Sequence, residues 1–247
     1  MSAVVAIMDR DDWDANTDNI VLVEPPRRRL LWVPRDLWCE RLGDRINTAY
    51  KRGGHPLLID ALAEHCLRAD TSVCLLRSAT ERALASLRIT VPVECRLSFW
   101  YPLTPTSRLE EGHKVVVFEP PEEALAGERL HQWVGARRVP DGAGSDLERI
   151  ERQKILVRRL LEDRFPLGRL LEDGALVTIS DQRALDDLAL VRPEWGLTTF
   201  SDVTPTIRDG KHVLVAWPRN PLSRGSRRVR RRINVIRRAA ARAPRAG

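Results

Sequence analysis

A layered α/β fold is what this sequence predicts, and three observations carry the prediction. Short apolar runs alternate with segments of helical spacing from residue 3 to residue 217. Apolar residues make up 43% and charged residues 30% of the 247, which suits a chain folding around one sizeable core. No internal repeat divides it into a solenoid or an array.

Ala3 to Met8, AVVAIM, reads as a buried strand that stops at Asp9. Asn19 to Val23 and Arg29 to Val33 read as two more strands, joined by the turn EPPRR. Pro56 to Leu67 has helical spacing, with Leu58, Ala61, Leu62 and Cys66 on one face. Its leading proline sits where a helix needs no N–H. RITVPVE, Arg88 to Glu94, reads as a strand, and Tyr101 to Pro121 as a turn-rich connection. Leu125 to Arg138 reads as a helix in spite of two glycines. After the loop VPDGAGSD, Ser145 or Asp146 is placed to cap a helix over Leu147 to Asp163. Its stripe is Ile150, Ile155, Leu156, Leu160 and Leu161. A helix over Gln182 to Leu190, capped by Ser180 or Asp181, and a strand over His212 to Trp217 close the body.

Several function classes fall away on composition. No run of 18 or more apolar residues occurs, the length a membrane helix needs. MSAVVAIMDRDDW lacks the basic leader of a signal peptide, so a cytoplasmic protein is expected, peripheral to a membrane at most. Cys39, Cys66, Cys74 and Cys95 form no C-x-x-C pair, which argues against structural zinc and for buried free thiols. The five histidines are scattered, and no Ser-His-Asp or Cys-His arrangement is evident.

The net charge of +7 is uneven. Arg219 to Gly247 holds eleven arginines and no acid, and without them residues 1–218 carry −4. Residues 1–218 are therefore expected as the domain and 219–247 as an Arg-rich tail. Val229, Ile233, Ile236 and Ala240 fall on one helical face of that tail. It reads either as a basic amphipathic helix for an anionic membrane surface or as a solvated, disordered extension. Without aromatic interleaving or a known motif, nucleic acid is not expected as its partner.

Two places invite a site. Asp9 ends an apolar strand, where a carboxylate has little structural purpose. Arg35-Asp36 follows another, where the pair is either a surface ion pair or the start of a phosphate grip. Motif order bears on the choice. Asp18 to Val23 (DNIVLV), Val33 to Asp36 (VPRD) and Arg45 to Gly54 (RINTAYKRGG) come first. Leu125 to Arg137 (LAGERLHQWVGAR) and Asp146 to Gln153 (DLERIERQ) follow. Together and in this order they resemble the LytR–CpsA–Psr family across Ala3 to Trp217.

The resemblance implies an α–β–α sandwich around a central mixed sheet. It also implies transfer of a glycopolymer phosphate from a polyprenyl pyrophosphate to a hydroxyl acceptor, with Mg2+ (or Mn2+) at the pyrophosphate. Position by position, Asp9 and Asp18 match the metal-associated carboxylates. Arg35, Asp36, Arg137, Arg149 and Gln153 match the catalytic set, with Asn47 and Tyr50 as candidate substrate contacts. Asn16 and Gly135 stand where the family carries arginines, and Arg10 and Arg138 are the neighbours placed to replace them. That chemistry needs charge neutralisation and positioning more than covalent catalysis. Arg149 and Gln153, four apart, share a helix face, and Asp36 or a metal-bound oxygen is expected to take the acceptor's proton. With no anchor expected, the donor is a soluble nucleotide-linked or a prenyl-linked pyrophosphate. The alternative is a degenerate relative that binds such a ligand, or a partner, without turnover.

Overall fold

Runs such as AVVAIM and RLLWV, apolar on both sides of the pleat, belong in a sheet covered on both faces. The computed structural model of the protein builds that sheet. It describes residues 1–103, 111–136, 139 and 146–216, all within a unit spanning Met1–Ala216. The elements run β1 (Ala3–Met8), β2 (Thr17–Glu24), β3 (Arg29–Val33), β4 (Trp38–Cys39), β5 (Asp44–Arg45) and α1 (Ala49–Glu64). Then come β6 (Thr71–Leu75), α2 (Arg77–Leu84), β7 (Ile89–Pro92), β8 (Leu97–Pro102), β9 (His113–Phe118) and β10 (Glu122–Leu125). The last are α3 (Glu128–Gly135), α4 (Asp146–Glu162), β11 (Val177–Ile179), α5 (Arg183–Ala189), β12 (Gly196–Thr199), β13 (Val203–Arg208) and β14 (Lys211–Ala216).

Six strands form the central sheet in the order β11-β6-β1-β2-β3-β12. β1/β6 and β3/β12 are parallel and the other pairs antiparallel, so the sheet is mixed as expected. One face, bearing Val4, Ala6, Ile20, Leu22, Leu31 and Val33, packs on Leu58, Ala61 and Leu62 of α1. The other face meets α4 and the α5 region through Trp32, Ile150, Leu161 and Trp195. A further core joins β7–β10 and α3 to the outer side of α4.

Three elements differ from the sequence reading. The first helix starts at Ala49 rather than Pro56 and kinks at Gly53-Gly54. Only glycine suits either position. A Cβ on Gly53 would stand 2.7 Å from Leu57 Cβ, and Gly54 has φ +62°. The expected Leu125–Arg138 helix is shorter, because Glu122–Leu125 pairs with β7 as a strand. Within the expected Tyr101–Pro121 connection, HKVVVF forms β9 against β8. Its exposed-and-buried alternation marks a one-sided strand. Arg137, Arg138 and the tail from Arg219 lie outside the described residues. Of the cysteines, Cys39 and Cys74 are buried, whereas Cys66 and Cys95 are exposed.

Candidate active site

A β-bulge sets the first candidate carboxylate. β1 pairs Ile7 with Asn19 but Met8 with Thr17, which leaves Asp18 as the extra residue. A bulge re-aims its side chain, a recurrent device beside active sites. Asp9 follows β1 directly, and its N–H donates to the Asn16 carbonyl at 2.8 Å. Continuing the β2/β3 register, Ile20↔Val33, places Arg35 opposite Asp18. One end of the sheet therefore gathers Asp9, Asp18 and Arg35.

Asp18 is saturated by guanidinium groups. Arg35 Nη1 donates to its Oδ1, and Arg149 Nη1 to its Oδ2 at 2.7 Å. Arg149 also reaches the Asp18 carbonyl at 3.0 Å and Asp146 at 2.7 Å, and only 2% of its side chain is exposed. Burial alone would lower the Arg149 pKa, but Asp18 and Asp146 more than offset it and hold the group firmly charged. Asp146, read from sequence only as a helix cap, is thus the counter-ion of Arg149, and it lies 3.9 Å from Arg35. The i,i+3 spacing of Asp146 and Arg149 was the signal for that pair.

Asp9 is the contrasting group. Its Oδ1 is buried without a hydrogen-bond partner, and the exposed Arg10 lies 3.7 Å away. Burial, then the charge of Asp18, raises its pKa above the ordinary carboxylate value. Arg35 and Arg149 are both committed to Asp18 and Asp146, and among the described residues only the exposed Arg10 approaches Asp9. The orphaned carboxylate oxygen of Asp9 fits a magnesium-type cation, which prefers oxygen ligands. Among the described residues no group of three His, Cys, Asp or Glu side chains gathers to hold a metal. Asp9 and Asp18 would therefore hold the ion with substrate and water supplying the rest, a common arrangement for magnesium.

Beside the carboxylates lies a cavity of about 390 Å3, within the usual range for ligand pockets. Its wall is mainly apolar, with Val21 and Trp32 from the sheet, Leu156 and Val157 from α4, and Leu130 and Val134 from α3. Asp9, Asp18 and Gln153 share that wall. α4 also fixes the end of α3. Arg152 Nε donates to the Trp133 carbonyl at 2.9 Å and its Nη2 to the Ala136 carbonyl. Gln153 Nε2 reaches the Val134 carbonyl at 3.0 Å. Helix-end carbonyls that lack intrahelical partners are satisfied in this way, and burial pushes the Arg152 pKa down to about 10.

Among the described residues, the remaining sequence candidates stand apart from the cavity. Arg35 and Arg149 sit behind Asp18 and do not line it. Asp36 faces Arg45 at 3.3 Å, while its carbonyl accepts from Leu214 N–H. Asn47 is buried and receives a bond from Thr17 at its carbonyl, while its N–H donates to the Arg35 carbonyl at 3.3 Å. Asn47 therefore positions Arg35. Tyr50 bonds Thr178 at 2.9 Å and packs edge-on against His55, which makes it a structural ring. Arg10 is largely exposed.

Comparison with known proteins sets this geometry in context. The chain matches the LytR_cpsA_psr family model over residues 4–172. No curated protein matches it. Among solved structures, B. subtilis TagV superposes with a TM-score of 0.60 at 15% identity, over 88% of this chain and 91% of TagV. TagT bound to LI-WTA gives 0.60 at 17% identity, over 87% and 83%. A transcriptional regulator from Enterococcus faecalis gives 0.60 at 16%, over 87% and 80%. At these identities the likeness concerns the fold.

Proposed function

This chain belongs to the LytR–CpsA–Psr family, and we propose that it is a phosphotransferase of the cell-wall glycopolymer type acting on a prenyl-linked pyrophosphate donor. The observation that carries the proposal is the cavity, whose mainly apolar wall includes Asp9 and Asp18. An amphiphile with an isoprenoid tail and a pyrophosphate head matches that polarity. TagT, of the same fold, holds LI-WTA, which supports a ligand of this kind. A soluble nucleotide-linked donor would leave the apolar wall uncovered.

In the proposed reaction the acceptor oxygen forms a bond to the glycosyl-bearing phosphorus. The bridging P–O bond breaks, and prenyl monophosphate leaves with that electron pair. Arg35 and Arg149 hold Asp18 in place, because a guanidinium fork and a carboxylate fit each other's geometry. With Asp9 and Asp18 given to the ion, a phosphate oxygen of the donor takes the acceptor's proton. A bound Mg2+ or Mn2+ would neutralise phosphate charge. The apolar wall excludes water, which strengthens each of these interactions.

Release of prenyl phosphate from a short prenyl pyrophosphate tests this reading, measured with and without Mg2+ or Mn2+ and set against release from a sugar nucleotide. Metal-dependent release from the prenyl substrate, lost in Arg35→Ala, is the expected result. Absence of both binding and release would overturn it. Gly135, where the family has an arginine, favours a second reading in which the ligand is bound and not consumed. Binding with no release under any metal would select that reading.

A further inference from the structure

Among the described residues, the site so far offers little positive charge for a pyrophosphate. Arg35 and Arg149 both face Asp18, and Gly135 brings no side chain to the cavity wall. Arg77 stands where that charge is missing. The parallel pairing of β1 with β6 runs from Ala3↔Thr71 to Ile7↔Leu75, and two residues further on it aligns Asp9 with Arg77. At this end of the sheet, β3, β2, β1 and β6 therefore deliver Arg35, Asp18, Asp9 and Arg77 in succession. A carboxylate pair is flanked by a guanidinium on each side. The loop after Asp9 is tied to the first turn of α2, where Ser78 N–H donates to Asp11 Oδ1 at 2.7 Å.

Arg77 lines the cavity together with Asp9 and Asp18. Its Nε donates to Glu81 one helical turn on, at 2.7 Å, which orients the fork, and the buried Tyr101 lines the same cavity. Tyr101 links the two positions in space, because a Cβ added at Gly135 would meet the Tyr101 ring at 3.9 Å. That is ordinary van der Waals contact, so the backbone there has room for a side chain.

We propose that Arg77 is a phosphate-binding residue of this site, supplying the pyrophosphate with the positive charge that position 135 lacks, while Glu81 positions its guanidinium. The assignment rests on the pyrophosphate reading given above. It also accounts for a cationic side chain in an otherwise mainly apolar wall.

Calorimetric titration of the full chain with farnesyl pyrophosphate in the presence of Mg2+ tests it, with the thermal midpoint of each variant recorded alongside. Arg77→Ala weakens binding about tenfold or more, the usual effect of losing a charge-assisted hydrogen bond. Arg77→Lys recovers part of that, keeping the charge without the fork. Adding Gly135→Arg to Arg77→Ala restores affinity, and adding Glu81→Gln does not. Should Arg77→Ala fail to fold, Arg77→Gln is read in its place. Unchanged affinity in Arg77→Ala overturns the assignment alone. So does full recovery with Glu81→Gln, because the loss would then come from a freed carboxylate. If Gly135→Arg restores nothing, the two positions do not serve one charge and the substitution claim falls. No binding by the unmodified protein overturns the pyrophosphate reading and this assignment together.

Discussion

The two faces of the central sheet are built from the same strands, and neighbouring residues meet opposite fates. Val4, Ala6, Ile20 and Leu22 pack on α1, all at most 1% exposed. Ile7, Val21 and Trp32 point the other way, and there α2, α3 and α4 leave a cavity between them. Protein interiors usually fill such space to the density of an organic crystal. A void beside a carboxylate pair therefore marks the face that serves a ligand, and the sealed face carries stability. Both faces share one end of the sheet, so the site is positioned by the sealed side and opened by the other.

The largest effect is expected at the network behind the cavity. Arg149→Ala leaves the buried Asp146 without its close guanidinium and takes one of two from Asp18, which costs on the order of 3–5 kcal/mol. Urea unfolding measures it, and a loss below about 1 kcal/mol would mean that water reaches these carboxylates. On the sealed face, Leu62→Ala removes a side chain with no exposed surface and costs about 3 kcal/mol. Prenyl pyrophosphate affinity, corrected for the folded fraction, should not move. A specific loss of affinity there would erase the division between the faces.

A smaller effect of opposite sign is expected at Asp9. Its folded pKa lies above its unfolded value, so the folded state binds more protons across that interval. Its contribution to stability is therefore lost as pH rises from the ordinary carboxylate range through the folded pKa. Asp9→Asn should raise the melting temperature at neutral pH in the presence of a chelator while abolishing turnover. The gain should vanish below about pH 4, where the ordinary carboxylate is protonated in either state. A variant less stable than the unmodified protein at neutral pH would show that Asp9 is held by favourable contacts.

Much of the sealed face was legible in the sequence, and less of the open one. AVVAIM, NIVLV and RLLWV announce buried strands because both sides of each are apolar, and the α4 stripe follows the helical period. β9 escaped notice because HKVVVF buries one side only and lies in a turn-rich stretch. The start of α1 was displaced because Pro56 reads as a first helical position, whereas the structure carries the helix from Ala49 through a kink at Gly53-Gly54. In the site, Asp9 was found from its place at the end of an apolar strand. The same reasoning applied to TSVCLL would have found Arg77, which no motif marks. The cavity left no trace in the sequence, because apolar side chains that line a void and those that fill a core are the same residues.

The central claim is that the open face holds the apolar part of a pyrophosphate-bearing ligand, and a cavity-filling variant tests it most directly. Val157→Phe places a ring in space that the fold leaves vacant, so stability should change by less than about 1 kcal/mol. Calorimetric titration with farnesyl pyrophosphate and Mg2+ should then show binding lost, with the melting transition intact. Binding as tight as that of the unmodified protein would contradict the account, because the ligand would be seated somewhere other than the cavity.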